Sequence, residues 1–418
     1  MSNQTAECSC CKDASSNPSP TVLLADSFQP KGIERLELLG CNVLCNPALK
    51  DESLASAIAD THPDILVVRS TKVTKEMMDA SERLSVIIRA GAGYDTIDIE
   101  AASERGVSVA NCPGKNSIAV AELAWGLILS CDRRIPDQVA DLIKGNWNKK
   151  EYAKASGLFG RTIGIVGMGG IGLEVIKRAK TFGMQVVAWS RSLTPHKAEH
   201  LGVDYCESLQ NLAKMSDVVS VHVSSTPETE NLINKQFLSL MKDNAIFVNT
   251  SRGNVVDEIA LAKAVESKKL RVGLDVFQNE PTSGDNTFSP EIVRCKHVYG
   301  THHVGASTDQ AQESIASEVV KIVTTYIEQG RVENCVNQVV GSTAMALLFV
   351  RHKNLPGVLS HVFEELSNAS VNVEEMENIL YKGCFAACAR IQLGSVPTAA
   401  QIDAIKNNEN IISVTMTT

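Results

Sequence analysis

Thr162-Ile163-Gly164-Ile165-Val166-Gly167-Met168-Gly169-Gly170-Ile171-Gly172 is the stretch on which the fold turns. Its first five residues form a short apolar run rich in β-branched side chains, the mark of a buried parallel strand. The glycines follow at once in a G-x-G-x-x-G pattern, and residues 173–182 take up helical spacing. Gly167 permits a tight turn, Gly169 lets backbone approach a pyrophosphate, and Gly172 lets the helix pack close to the strand. The amides at the helix start, around Gly170 and Ile171, would face the anion. A tight strand–helix turn with no ligand could use the same glycines. The strand before it, the helix after it and a second strand at 185–189 favour a dinucleotide site.

Working outward, 418 residues suffice for two or three domains with sizeable cores. A hydrophobic content of 44% and a charged content of 21% are those of an ordinary soluble chain. The net charge of −8 argues against a broad field drawing it to nucleic acid or anionic membrane. No apolar run approaches the roughly 20 residues of a membrane span, and the N-terminus lacks a signal-peptide core. The 12 cysteines are scattered, which suggests reduced thiols and a cytoplasmic protein. Cys8, Cys10 and Cys11 cluster in a Ser/Asn/Pro-rich lead over residues 1–20 that reads as disordered, with no metal site expected.

Strand signals at 21–25, 65–68, 86–89 and 108–110 alternate with amphipathic segments such as 33–39 and 54–59. A long helical pattern over 119–131 and a second over 138–145 lead to the glycine turn. Beyond it, runs at 218–221, 246–249, 272–276 and 297–299 continue the alternation. The chain therefore reads as α/β, with two doubly wound units and parallel sheets. A helix over 307–327 should return to the first unit. The expected domains are 21–118 with 305–330 for substrate, and 119–304 for the dinucleotide. Residues 331–342 read as a linker. Residues 343–418 carry a βαββαβ order, the ferredoxin-like split, where a ligand-sensing module would sit.

Three stretches lie at predicted strand ends, where open α/β sheets bind ligands. Asn249-Thr250-Ser251-Arg252-Gly253 supplies Arg252, residues 275–281 supply Asp275 and Glu280, and Thr301-His302-His303-Val304 supplies His303. Taken singly these could be a surface arginine, a helix-capping glutamate and a core histidine. Together they are what hydride transfer at a 2-hydroxy acid requires. His303 would take the hydroxyl proton, Glu280 would hold the ring's tautomer, and Arg252 would grip the carboxylate.

These motifs resemble the D-isomer-specific 2-hydroxyacid dehydrogenases over most of the chain. The resemblance implies Arg252, Glu280 and His303 as catalytic residues, with His302 standing where a proline is common. It implies Thr250 and Asp275 at the cofactor, Asp275 toward the nicotinamide amide. Arg89-Ala90-Gly91-Ala92-Gly93-Tyr94-Asp95 is similar to the family's substrate loop, which brings in Ala92 and Gly93. Arg69-Ser70-Thr71 matches its arginine motif, and Trp147-Asn148-Lys149 is similar to a segment whose lysine approaches a phosphate. Gly-Ala-Ser-Thr after His303 is typical of the branch that oxidises 3-phosphoglycerate to 3-phosphohydroxypyruvate at the entry to serine synthesis. A hydroxypyruvate or glyoxylate reductase is the near alternative, and a non-catalytic NAD-binding corepressor the distant one.

One departure stands at the end of the second strand, where NAD enzymes carry an acid for the ribose 2′-hydroxyl. Here the chain reads Trp189-Ser190-Arg191-Ser192, and a serine with an arginine suits a 2′-phosphate. The resemblance favours NAD and the residues favour NADP, so both cofactors stay open. The C-terminal segment resembles serine-sensing ACT domains, with His352, Asn354 and Asn372 at effector positions. That likeness implies L-serine as effector, in a homo-oligomer, most plainly a tetramer.

Overall fold

Residues Ile65–Val68 are buried along the whole strand, as are Thr21–Leu24 beside them. Burial on both faces is what near-continuous apolar runs produce when helices cover a parallel sheet on either side. In this computed structural model, which describes residues 19–281, 288–339, 341 and 343–418, the first sheet is all parallel. Its strands are β1 (Thr21–Leu24), β2 (Asn42–Cys45), β3 (Ile65–Val68), β4 (Val86–Arg89) and β5 (Ser108–Asn111), in the order β2-β1-β3-β4-β5. Sequence patterning misses β2 because this edge strand is half exposed and holds only Val43 and Leu44 between polar ends. The expected lead, with Cys8, Cys10 and Cys11, falls almost wholly outside the described residues.

The second sheet holds β6 (Thr162–Val166), β7 (Gln185–Trp189), β8 (Asp204–Tyr205), β9 (Val218–Val221), β10 (Ile246–Asn249), β11 (Arg271–Leu274) and β12 (Val298–Gly300). The order is β12-β11-β10-β9-β6-β7-β8, again parallel throughout. Strand order reverses between β6 and β9, the switch point at which doubly wound sheets open a crevice. The helix Ser117–Arg133 packs Ala124, Trp125 and Ile128 against Ile163, Ile165 and Val248 of this sheet. The helix Asp309–Gln329, capped by the Thr308 hydroxyl, returns to the first sheet and buries Ile315, Val319 and Val323 against Val22, Leu24 and Ile88.

The expected linker needs correction. Asn334 accepts from the Asn111 amide, and Asn337 bonds both the Val109 amide (2.8 Å) and the Val107 carbonyl (2.9 Å). Residues 331–337 thus dock on the rim of the first sheet, and the chain divides into compact units at Met1–Asn337 and Gln338–Thr418. A segment with no helical period can still be fixed in place, because backbone groups at a sheet edge are satisfied equally well by polar side chains.

The C-terminal unit has strands β13 (Ala346–Lys353), β14 (Val373–Leu380), β15 (Ala386–Leu393) and β16 (Ile411–Thr417), all paired antiparallel in the order β14-β15-β13-β16. Along β13 burial alternates, the pattern of a sheet covered on one face. Helices Val358–Asn368 and Ala399–Lys406 cover it with Val362, Leu366, Ile402 and Ile405. No described helix is long and apolar enough to cross a membrane.

Candidate active site

Because every strand of the two large sheets runs parallel to its neighbours, the loops that follow them emerge on one edge of each sheet. The loops after β1, β3 and β4 and those after β6, β9, β10, β11 and β12 line a single cleft of about 650 Å³. Arg69, Ser70, Ala92 and Gly93 enter it from the first sheet, and Ile171, Thr250, Arg252, Asp275 and His303 from the second.

At the glycine turn, Gly167 has φ 102°, and a Cβ there would fall 2.5 Å from the His222 carbonyl. A Cβ at Gly172 would meet the Gly167 carbonyl at 2.2 Å, so helix and strand approach as closely as glycine alone allows. Over Gly169 there is open space. No side chain caps the helix Gly170–Thr181, so its first amides are left for an anion. The turn thus fits a dinucleotide pyrophosphate.

His303 and Glu280, 23 residues apart, meet with Nδ1 2.7 Å from Oε2. The other Glu280 oxygen accepts from the Phe277 amide at 2.9 Å. Burial pushes the Glu280 carboxyl up, but the His303 and Phe277 hydrogen bonds outweigh it, leaving it below the usual carboxylate range. The imidazole therefore faces an ionised acceptor through Nδ1, and among the described residues its Nε2 makes no hydrogen bond. His303 sits at φ 53°, which a non-glycine residue holds only when its surroundings insist. Asp275 supplies that insistence. Its carboxylate accepts from Thr301 Oγ1 (2.6 Å), the Val304 amide (2.9 Å) and the Gly305 amide (2.9 Å), while its carbonyl accepts from the His303 amide (2.8 Å). Asp275, expected at the nicotinamide, borders the cleft but commits its oxygens to the loop that carries His303.

Arg252 donates through Nε (3.2 Å) and Nη2 (3.1 Å) to the two oxygens of Asp95, and through Nη1 to the Ser251 carbonyl (2.8 Å). The tip of the guanidinium stays open for a ligand carboxylate. A Cβ at Gly93 would fall 2.2 Å from Arg252 Nη2, so this glycine makes room for the pair. Burial raises the Asp95 carboxyl, and the Arg252 contact more than offsets it, for a net lowering. Asp26 accepts the amides of Arg69 (2.6 Å), Ser70 (3.2 Å) and Thr71 (3.3 Å) and so fixes the arginine loop.

Sequence reading passed over three cleft residues. Arg89 is half-buried, its buried Nε has no partner, and burial together with the Arg252 and Arg69 charges lowers its pKa to about 10. Asn116 Oδ1 and His222 Nδ1 are likewise buried without partners at the cleft wall, as is Thr250 Oγ1. Burial pulls the His222 pKa down to about 3, so its ring is neutral. The signal available beforehand was the likeness of residues 89–95 to the family's substrate loop, which brought in Ala92 and Gly93 and gave the Arg89 side chain no role.

Lys149, Ser190 and Arg191 stand apart from the cleft lining, and the expected effector residues disperse. Lys149 is exposed at the start of the short helix Lys149–Tyr152 and does not line the cleft. Glu151 binds Arg134 (2.7 Å) and Tyr152 binds Asp141 (2.7 Å), which pins this segment to the helix Ile135–Ile143. Ser190 and Arg191 lie at the end of β7, next to the glycine turn, where the Gly167 amide donates to the Trp189 carbonyl (2.9 Å). In the C-terminal unit, His352 is 2% exposed, with ring nitrogens against the Lys353 carbonyl (2.8 Å) and Asn378 Oδ1 (3.2 Å). Asn354 caps the Cys384 carbonyl (3.0 Å), whereas Asn372 lies by Gly394 and bonds Glu374 (2.9 Å). His352 pairs with Ala387, seven positions before Gly394 along the chain, so His352 and Asn372 are about 23 Å apart at ~3.3 Å per residue. One copy of this unit does not gather the three expected effector residues.

A histidine–carboxylate pair and an arginine beside a dinucleotide turn describe a nicotinamide-dependent oxidoreductase. Residues 125–305 match the model of the D-isomer specific 2-hydroxyacid dehydrogenase NAD binding domain. The chain is 40% identical over 318 residues to the D-3-phosphoglycerate dehydrogenase of Methanocaldococcus jannaschii, covering 76% of this chain and 59% of that protein. It is 43% identical over 261 residues to the hydroxypyruvate reductase of Thermotoga maritima, covering 62% of this chain and 83% of that one. Among solved structures, the D-mandelate dehydrogenase of Rhodotorula graminis superposes with a TM-score of 0.70 at 26% identity, over 78% of this chain and 99% of that one. The chain belongs to the D-isomer-specific 2-hydroxyacid dehydrogenase family. Its match spans about three fifths of the length of the phosphoglycerate dehydrogenase relative.

Proposed function

We propose that this protein oxidises 3-phospho-D-glycerate to 3-phosphohydroxypyruvate, the reaction named for its M. jannaschii relative and the first step toward L-serine. The observation that carries the reading is the His303–Glu280 pair at 2.7 Å on the same cleft as Arg252. A dinucleotide held by its pyrophosphate at the glycine turn would bring a nicotinamide as the hydride acceptor. In this reading His303 Nε2 takes the proton of the C2 hydroxyl, and Glu280 steadies the imidazolium. The open tip of Arg252 holds the carboxylate and polarises the C2 oxygen. Arg69 and Arg89, both on the cleft wall, supply cations for a substrate with a dianionic phosphate.

A second reading, hydroxypyruvate or glyoxylate reduction, is favoured by the fuller overlap with such relatives, 83% and 84% of their lengths. Initial rates with 3-phosphoglycerate, glycerate, hydroxypyruvate and glyoxylate separate the two. A kcat/KM for 3-phosphoglycerate no higher than for unphosphorylated glycerate would exclude the first reading. Feedback by L-serine through His352, Asn354 and Asn372 would require two copies, one giving His352 and Asn354 and the other Asn372. A family resemblance supports that arrangement, together with the exposed edge strand β14.

A further inference from the structure

β5 is an outer strand of the first sheet, so no further strand of that sheet covers its outward backbone groups. Residues 334–337 cover them instead. The Val336 amide donates to the Val109 carbonyl (2.7 Å), the Asn111 amide donates to the Asn334 carbonyl (3.4 Å), and Ala110 and Cys335 form an antiparallel bridge. Asn337 completes the edge with its side chain. Its Oδ1 accepts from the Val109 amide, and its Nδ2 donates to the Val107 carbonyl and to Ser103 Oγ (3.2 Å). Asn334 is anchored in turn by its side chain to Glu318 (2.8 Å), which pairs with Lys115 (2.9 Å).

Asn111 stands where this edge meets the cleft. It ends β5 opposite Arg89, is buried, and donates through Nδ2 to the Ala92 carbonyl at 2.6 Å. The Cys112 amide beside it donates to the Gly91 carbonyl (2.9 Å). The chain held in this way runs between two glycines, each against a cleft arginine. A Cβ on Gly91 would run into the Arg89 guanidinium, and one on Gly93 into that of Arg252. The proposed hydride chemistry uses neither Asn111 nor residues 334–337.

We propose that Asn111 is a positioning residue for the loop 91–95, and that residues 334–337 form a strap that holds Asn111 from the outer side of the sheet. Substrate affinity then depends on a segment that lines no part of the cleft. This rests on the cleft being the site of a 2-hydroxy acid. A loop whose carbonyls are held before the ligand arrives need not be ordered when it binds, and the saving appears as affinity. Without the Asn111 donor the Ala92 carbonyl loses its partner, and the neighbouring Gly93 no longer keeps its set distance from Arg252. The guanidinium that would grip the carboxylate then loses its aim. The strap acts one step further out, because the Asn111 amide and side chain are bonded to Asn334 and Ala92 respectively.

Steady-state kinetics, NADH binding by fluorescence and hydrogen exchange at residues 91–93 test this in the full chain. Asn111→Leu keeps the volume and removes the donor. It should raise the KM for the 2-hydroxy acid by about ten-fold, the scale of one buried hydrogen bond, with kcat falling less and the Kd for NADH unchanged. Asn337→Ala touches neither loop nor cleft, and should raise KM by about three-fold and speed exchange at residues 91–93. Ser103→Ala, which removes one bond of Asn337, is the milder variant should Asn337→Ala not fold. Val43→Ala, on the opposite edge strand β2, lowers stability alone and should leave KM and exchange at parent values. A parent KM in Asn111→Leu overturns the positioning role, and parent KM and exchange in Asn337→Ala overturn the strap. An equal rise of KM in Val43→Ala overturns both. Turnover of another 2-hydroxy acid but not 3-phosphoglycerate removes only the proposed substrate, since the carboxylate is common to all. With no turnover of any, the proposed function falls, and exchange at residues 91–93 decides the strap by itself.

Discussion

The two units treat their expected ligand residues in opposite ways. In the first, Arg69, Gly93, Arg252 and His303 come from loops spread over 235 positions, yet they border one cleft. In the second, His352 and Asn372 are 20 positions apart and end about seven strand residues from each other. Strand direction explains the contrast. Parallel strands all finish on the same edge, so their C-terminal loops collect there. Antiparallel strands finish on alternate edges, so loops before and after a hairpin part company. One chain brings the expected residues together in the first case and leaves them apart in the second.

The largest effect that could break this comparison is at the dyad. His303→Ala should lower kcat by roughly 100-fold or more, with cofactor binding nearly unchanged. Near-normal turnover would move suspicion to exposed His302. Next comes the pairing of the two sheets through Arg252. Asp95→Asn should leave the fold intact and lower kcat/KM by about ten-fold, since the guanidinium loses the charged partner that aims it. Equal rates in the variant would mean that substrate alone orients Arg252.

A smaller effect concerns stability at the cleft wall. His222 is neutral in the fold with a pKa near 3, whereas an unfolded histidine titrates near 6.5. The unfolded chain therefore binds the extra proton between these values. Its contribution is fully present above about pH 6.5 and declines as pH falls toward 3, by up to about 1.4 kcal/mol per pH unit. Urea unfolding from pH 7.5 to 4.5 should show a shallower fall for His222→Gln than for the parent. Parallel curves would mean that the ring is not held neutral.

The smallest expected signal comes from the C-terminal unit and would sharpen the contrast most. If serine bridges two copies, Asn354→Ala and Asn372→Ala should each abolish inhibition, because every site then lacks a partner. Co-refolding the two variants should restore part of it, since some paired copies regain one intact site. Failure of the mixture, with the parent still inhibited, would place a serine site within a single copy.

The amino-acid order alone determined the fold class, the glycine turn and the identity of Arg252, Glu280 and His303 as candidates. Each rests on local features: β-branched runs that must be buried, glycines at set spacing, and reactive side chains just beyond predicted strands. It could not see β2, whose edge position removes the need for a long apolar run. Nor could it assign Asp275 to the His303 loop or Asp95 to Arg252, a pair 157 residues apart. Only the tertiary structure decided that Lys149 stays outside the cleft, that half-buried Arg89 lines it, and that His352 and Asn372 lie toward opposite ends of their sheet. Such outcomes depend on which strands become neighbours and in which direction they run. Residue type and spacing along the chain carry no record of that.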